Sequence, residues 1–552
     1  MYKQVLDPVS HSLGLTAIFA VLPLILLFVL LGVVRMKAWM ASVIALAVAA
    51  GVAVVVYGMP VGQTGDAALE GAAFGLWPIM WIVVNALWIY NMTVETGYAA
   101  VLRRAFAAIS DDIRIQAIVV AFCFGALLEA LAGFGTPVAI AGAMLVALGL
   151  SPMRAAVVAL VADTAPVAFG AIAVPITTLA EVTKLPVHHL SMMVGRQTPF
   201  LAVVIPFVIV LMVGGRRGLR ETWPAALTAG LSFAVTQFAV SSYVSTQLTD
   251  ILAALVSTGS IVLLLRVWSP QAGIPRPEIA GRPAIAGGAV ADPQLELRVR
   301  ADQGHPLTRA EMLKAFAPYA IIIAVLGITS LNAISLQLDK ATSIFAWPGL
   351  HVLNGEGKAP SSETFKLTLL TATGTWLLVC GVLSALVLRV RPGQAVRIWG
   401  RTVVQLRYAI VTVCAVLGLA YVMNLSGQTA TLGEWVAGAG AAFAFLSPLI
   451  GWFGTAVTGS DTSTNALFGG LQVVAAHRTG LSPTLLAAAN SSGGVMAKMV
   501  SPQNLAIAGA AVGLAGREGD ILRRVLPWSV GLVLAMGLLV LAQSGVLSFM
   551  VP

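Results

Sequence analysis

The chain has 552 residues, 58% of them hydrophobic and 10% charged, with a mean hydropathy of +0.92. Soluble domains carry about 25% charged residues, so a water-soluble globule and a disordered chain are excluded. A disulfide scaffold is excluded too, because Cys123, Cys380 and Cys414 lie in apolar runs without CxxC spacing. What remains is an all-α polytopic membrane protein, and the net charge of +9 has to be read through its topology rather than as a nucleic-acid signal.

A transmembrane helix needs about 20 apolar residues. In chain order, spans are expected near 13–34, 38–57 and 70–91. The first apolar run is long and continues into a second span, so no cleavable signal peptide is expected. Residues 97–113 mix Arg103, Arg104, Asp111 and Asp112 with apolar side chains and read as an interfacial helix. The stretch 114–150 fits one span badly, because Gly133-Phe134-Gly135-Thr136-Pro137 interrupts its middle. Spans follow near 153–180, 191–214, 223–241 and 249–267. Residues 268–312, rich in Pro, Gly and Arg, read as a cytoplasmic linker. Further spans are expected near 313–336, 367–388 and 403–424, with 430–440 in the place of the interfacial helix. The stretch 441–478 is again interrupted, at Gly459 to Asn465. Spans near 483–510 and 523–550 bring the total to about twelve helices plus two odd stretches.

Lys and Arg set the orientation. With both odd stretches returning to the side they entered, most of the 32 basic residues fall inside, among them Arg35, Arg103, Arg114, Arg216, Arg217, Arg389, Arg401 and Arg523. Lys3, Lys184, Lys340, Lys358, Lys366 and Arg478 fall outside. A single crossing by either stretch would erase the asymmetry. The odd stretches therefore read as re-entrant hairpins, and both termini are expected on the periplasmic side.

The two hairpins resemble each other. Gly125-ALLEALAGFGTP matches Gly451-WFGTAVTGSDTS, and each leads to Gly-Leu-Ser-Pro. A polar, helix-breaking span follows each: Asp163-TAPVAFGAIAV-Pro175 and Asn490-SSGGVMAKMVS-Pro502. Asp163 pairs with Asn490, Thr164 with Ser491, and Pro175 with Pro502. The copies are inverted in the membrane, and inverted repeats with discontinuous helices point to a secondary transporter. Unpaired backbone cannot face lipid, so the tips must line a polar cavity. Half-helix N-termini there suit a small anion. The binding candidates are Gly133, Phe134, Gly135, Thr136, Thr164, Ser460, Thr462, Ser463, Thr464, Asn465, Ser491, Ser492 and Gly493.

Ionisable groups within spans are costly and are functional candidates. A carboxyl group out of water can exchange its charge for a proton, which makes Glu129, Asp461 and Asp163 the proton-coupling candidates. Lys498 and Arg196 are the available charge partners.

At these residues the chain resembles the bacterial L-lactate permease family. The likeness runs nearly end to end and includes LWPIMWIV at 76–83, FCFGALLEALAGFGTPVAI at 122–140, DTAPVAFGA at 163–171, VGRQTPF at 194–200, ETWPA at 221–225 and NSSGGVMAKMVSPQNLAIA at 490–508. The resemblance implies import of lactate, and often glycolate, together with protons across the bacterial inner membrane. It also implies membership of the ion-transporter superfamily, with a scaffold, a mobile elevator-type transport domain and often a homodimer. On that basis 1–113 are first-repeat scaffold helices and 114–214 the first-repeat transport part. Residues 215–312 hold connecting helices and linker, 313–440 second-repeat scaffold helices, and 441–552 the second-repeat transport part. The chain departs from the family at Asp163, where Asn is common.

Rival readings differ in their residues. A sodium-coupled carboxylate transporter of the same fold would use Asp461, Asn465, Thr164 and Asn490. A channel would pass substrate without accumulating it. An intramembrane enzyme would need an arranged nucleophile or metal, and the sequence has no HExxH, GxSxG or P-loop. No cofactor, metal, catalytic residue or nucleic-acid partner is expected; the expected partners are the small monocarboxylate, the proton and the bilayer.

Overall fold

A computed structural model describes residues 2–133, 135–270, 308–329, 331–354, 357 and 364–552. The linker expected at 268–312 and the residue Phe134 therefore lie largely or wholly outside the described residues. The described residues form helices and a few short strands joined by turns. Among the described residues, ten helices are long and apolar enough to cross a membrane, or eleven if one bent pair counts as a span.

The first helices are α1 (Leu13–Phe28), α2 (Ala38–Val55), α3 (Val61–Phe74), α4 (Trp81–Glu95) and α5 (Tyr98–Ala107). Their burial follows membrane logic. On α1, Leu15, Ile18, Phe19, Leu22 and Ile25 face outward, whereas Thr16, Ala17, Ala20 and Leu24 are buried. Small residues turned inward let helices approach closely without water to drive them together.

The first hairpin consists of α6 (Ile113–Ala117), a π-helical stretch, α7 (Gly125–Ala132) and α8 (Thr136–Ala147). After it come α9 (Pro152–Ala162), α10 (Gly170–Thr183), α11 (Val187–Gln197), α12 (Pro199–Tyr243) and α13 (Thr249–Val267). The second half has α14 (Arg309–Thr329), α15 (Asn332–Asp339), α16 (Thr373–Val387), α17 (Pro392–Ser426) and α18 (Gln428–Val436). Its hairpin is α19 (Phe443–Thr458) and α20 (Asp461–Thr479), followed by α21 (Pro483–Ala497), α22 (Pro502–Ala511) and α23 (Glu518–Gln543).

Glycines set the close crossings. Gly71 of α3 and Gly418 of α17 each face the other helix's backbone, at Leu417 and Ala68. Gly374 and Gly381 of α16 admit the Trp81 and Trp88 side chains of α4. Asn85 ties this pair, donating to the Gly374 carbonyl at 3.0 Å and accepting from Trp399 at 3.1 Å. In the second hairpin, Gly451 of α19 faces the Asn490 carbonyl of α21, and Gly493 faces that of Pro448.

At one end, β1 (Tyr2–Lys3) pairs in parallel with β3 (Val352–Leu353), and β2 (Thr342–Ala346) pairs antiparallel with β4 (Thr364–Thr368). The Tyr2 hydroxyl donates to the carbonyls of Tyr57 and Ser426, at 3.1 and 2.8 Å, and so straps the ends of α2 and α17.

Sequence and structure partition several spans differently, for local reasons. The span expected at 367–388 is the 15-residue helix α16, because β4 occupies the preceding segment. The spans at 191–214 and 223–241 run through α11 and α12 with a non-helical break at Gly215. Lacking a proline there, the helix resumes directly. The segment 215–267 also packs against residues 114–214. Gly195 lies under the Ser241 side chain, the Ser191 hydroxyl donates to the Ser241 carbonyl at 3.0 Å, and Cys123 meets Ser257 at 3.4 Å.

Candidate functional site

The first tip forms because α7 cannot continue past Ala132: Gly133 has φ +37 and ψ −149, a conformation open to glycine. Helix α8 restarts at Thr136 with Pro137 in its first turn, where a missing N–H costs nothing. A Cβ on Gly135 would press on Ile507 and stand 3.0 Å from Asn504 Oδ1. The first tip thus rests on the start of α22. The second tip breaks at Gly459, and Ser460 caps α20 by accepting from the Ser463 amide at 3.2 Å. A Cβ on Gly459 would lie 2.8 Å from Gln503 Oε1 and 3.5 Å from Ser501 Oγ. Both tips therefore converge on residues 501–507.

Ser501 in turn caps α22, accepting from the Asn504 amide at 3.3 Å. The N-termini of α8, α20 and α22 meet at one place, each with first-turn N–H groups that have no carbonyl partner within the helix. Thr136, Ser460 and Thr462 are half-buried there and Gln503 is exposed, although most of the surrounding helices are buried.

Beside this junction lies a buried ionic triad. The Lys498 ammonium is 2.7 Å from Glu129 Oε1 and 3.0 Å from Asp163 Oδ2, and all three side chains are at most 7% exposed. The breaks in the spans bring them together. Helices α9 and α10 are bent by 62° across residues 163–166. At the start of α10, Ala171, Ile172 and Ala173 form a left-handed turn, with φ +45, +58 and +58, a conformation costing L-residues roughly 1–2 kcal/mol each. The register that pairs Asp163 with Asn490 sets this turn against Lys498–Val500, the 3-10 turn between α21 and α22. The two segments thus leave the α-helix together only at this step, since residues 490–493, which the register pairs with the 163–166 bend, lie inside α21. Gly170 lies against Glu129, where a Cβ would stand 2.6 Å from Oε1. Asn504 and Ser501 side chains both donate to the Lys498 carbonyl at 3.0 Å, which links the triad to the tip junction. With one cation and two carboxylates, the triad has a surplus negative charge when all three are ionised. Glu129 Oε2 and Asp163 Oδ1 are buried without a hydrogen-bond partner.

Asp461 is held differently. Its Oδ2 accepts from Ser491 at 2.6 Å and from Asn465 at 3.2 Å, and its Oδ1 has no partner. A chain of buried amides backs it: Asn490 donates to Asn465 at 2.9 Å, Gln472 to Asn490 at 3.3 Å, and Ser447 to Gln472 at 2.8 Å. Such networks are rigid when satisfied. The remaining binding candidates are placed as follows. Ser492 donates to Gln197 at 2.7 Å, and Thr464 accepts from Thr455 at 2.8 Å. Gly493 is closed off by the Pro448 backbone, and the Thr164 hydroxyl is buried without a partner in the α9–α10 break. Arg196 departs from the expectation of a carboxylate partner. It donates to the Met550 carbonyl instead, because α11 packs beside the C-terminal segment. Among the described residues, no group of three or more His, Cys, Asp or Glu is placed to hold a metal.

The family model for L-lactate permease matches residues 16–547. The chain belongs to the L-lactate permease family. It is 39% identical over 571 residues to the L-lactate permease of Bacillus subtilis (strain 168), covering 100% of both chains. It is 40% identical over 555 residues to the glycolate permease GlcA of Escherichia coli (strain K12), covering 98% of this chain and 97% of the relative. Identity to the L-lactate permease of Escherichia coli (strain K12) is 36% over 564 residues, covering 100% of both.

In this member of the L-lactate permease family, the site contains residues that the sequence reading passed over. Ser501, Gln503 and Asn504 form the floor of the tip junction. Ser501-Pro502 is a helix-start signature and was available as a signal. Outside the tip junction, Asp250, 1% exposed, stands at the expected start of a span, where a charge reads as interfacial.

Proposed function

We propose that this chain is a secondary active transporter that imports L-lactate and related short 2-hydroxy monocarboxylates, glycolate among them, by proton symport across the bacterial inner membrane. One observation carries the reading: three helix N-termini converge beside a buried lysine shared by two carboxylates. The partial positive charge of aligned peptide dipoles suits a carboxylate. The backbone N–H groups of Thr462 and Gln503 and the hydroxyls of Thr136 and Ser460 receive the substrate anion. A proton on Glu129, within the triad, or on Asp461 balances the anion's charge, so that the loaded site crosses the low-dielectric region without net charge.

In this reading the chain has about twelve spans and two re-entrant hairpins in inverted repeats, with periplasmic termini. Segments 114–214 and 441–552 move as an elevator against 1–113 and 313–440. The connecting helical segment 223–267 travels with the moving part, a reading supported by the Gly195–Ser241 and Cys123–Ser257 contacts.

The test is uptake of labelled L-lactate into proteoliposomes containing the full chain, with pH and sodium gradients imposed separately. Accumulation driven by an inward proton gradient and abolished by a protonophore supports the proposal. Accumulation driven by sodium alone overturns proton coupling, and uptake that never exceeds equilibration overturns active transport.

A further inference from the structure

A further buried carboxylate lies outside the triad. Asp250, in the first turn of α13, is 1% exposed, and its Oδ2 has no hydrogen-bond partner. Its Oδ1 accepts from Gln237 Nε2 of α12 at 3.1 Å. The same Nε2 lies 3.5 Å from the carbonyl of Ala165, in the α9–α10 break two residues after Asp163. Gln237 is itself oriented, since its Oε1 accepts from Thr198 at 3.2 Å and Thr198 also donates to the Val194 carbonyl at 3.0 Å. Gln237 and Thr198 are fully buried. Helix α13 packs against α7, which carries Glu129, and the neighbouring contact of Cys123 with Ser257 joins α13 to the stretch just before α7. Asp163 lies in the break that Gln237 touches, and Lys498 neutralises charge on Glu129 and Asp163.

The turn that leads into Asp250 is rich in hydroxyls. Ser241, Ser242, Ser245, Thr246 and Thr249 line the turn from α12 to α13, and Tyr243 and Val244 there are exposed. The Ser242 hydroxyl is buried without a partner, and Ser245 donates to the half-buried Gln247 at 3.1 Å. With the orientation set by the basic residues, this turn is on the outer side. Ser241 and Thr249 donate back to the Phe238 and Ser245 carbonyls, and a carboxylate that only stabilised the α13 N-terminus would gain most at the surface, where water satisfies its second oxygen.

We propose that Asp250 is a proton-relay residue between the outer surface and the Glu129–Asp163–Lys498 triad, with Gln237 as its positioning residue. The proposal rests on the proton-symport reading above. In the step, the Asp250 carboxylic acid passes its proton through a bridging water to the Glu129 carboxylate. The O–H bond at Asp250 breaks as one forms at Glu129, the negative charge moves to Asp250, and the total charge of the pair is unchanged. External water then returns a proton to Asp250. A buried carboxyl group held by a single amide is suited to this exchange, because neither of its charge states is locked by a cation.

The experiment uses the full chain in proteoliposomes and two assays. Lactate–lactate counterflow moves no net proton, whereas uptake driven by a pH gradient does. Asp250→Asn is expected to keep counterflow at the wild-type rate and to slow gradient-driven uptake by about 100-fold. Asp250→Glu restores a titratable group and is expected to recover gradient-driven uptake. Unchanged gradient-driven uptake in Asp250→Asn overturns the relay. So does an equal loss of both assays in Asp250→Asn that Asp250→Glu does not repair, because that pattern marks a packing role. Wild-type protein that ignores a proton gradient overturns the symport reading itself and the relay with it. A wild type driven by protons beside an unaffected Asp250→Asn overturns the relay alone.

Discussion

Removing Lys498 has a different consequence from removing either of its partners. In Lys498→Met, Glu129 and Asp163 lose the one cation that lies 2.7 and 3.0 Å away, and both side chains stay only 4% exposed. Stranding a buried charge by deleting its partner costs about 3–5 kcal/mol, which is roughly two to four powers of ten in the folded-to-unfolded ratio. Glu129→Gln and Asp163→Asn act on the surplus instead. Each leaves a neutral one-to-one pair with Lys498, so the loss is limited to a weakened hydrogen bond, about 1 kcal/mol. The triple variant Glu129→Gln, Asp163→Asn, Lys498→Met contains no stranded charge and is expected to regain most of the stability lost by Lys498→Met. Thermal unfolding of the purified variants in one detergent reads the order: wild type and the single carboxylate variants highest, the triple variant near them, Lys498→Met lowest. A Lys498→Met protein as stable as Glu129→Gln would refute the triad as a charge-balanced unit.

Three further outcomes are expected. Gly451→Ala places a methyl against the Asn490 carbonyl at the α19–α21 crossing, and overpacking of this kind costs about 1–3 kcal/mol, measurable as a lower unfolding temperature, whereas Gly14→Ala on the open surface of α1 leaves it unchanged. Arg114 is fully buried, 2.7 Å from Asp112 and 2.5 Å from Glu221, so Arg114→Met strands Asp112 and is expected to lose about 3 kcal/mol in the same measurement. Asp461→Asn keeps acceptor and donor groups beside Ser491 and Asn465 and is expected to fold normally; gradient-driven lactate uptake lost with counterflow retained would identify Asp461 as the proton carrier, and the same pattern in Glu129→Gln alone would identify Glu129.

The tips were legible in the sequence because glycine runs in an apolar stretch have few other uses, and both Gly133 and Gly459 break their helices as expected. A break in the polar run from Asn490 to Pro502 was also visible, although α21 runs on to Ala497 and the break is confined to 498–501. What the sequence left open was contact across the fold. Lys498 had Arg196 as an equal rival for the carboxylates, and only the packing of α11 beside the C-terminal segment sends Arg196 to Met550. Glu129 and Lys498 are 369 residues apart, and no local pattern encodes their meeting. Asp250 was hidden by its position at a span boundary. Span number was hard to read for a related reason: hydropathy does not distinguish one limb of a hairpin from a crossing, and Ile113–Ala132 is apolar and long enough for either.

The junction of the tips is where substrate recognition is assigned, and a density map of the full chain in lipid with L-lactate bound tests that assignment most directly. The expected result is carboxylate density within hydrogen-bond distance of the backbone N–H groups of Thr462 and Gln503, beside Thr136 and Ser460. Substrate density elsewhere, with Gly135 and Gly459 separated by packed side chains, would contradict it.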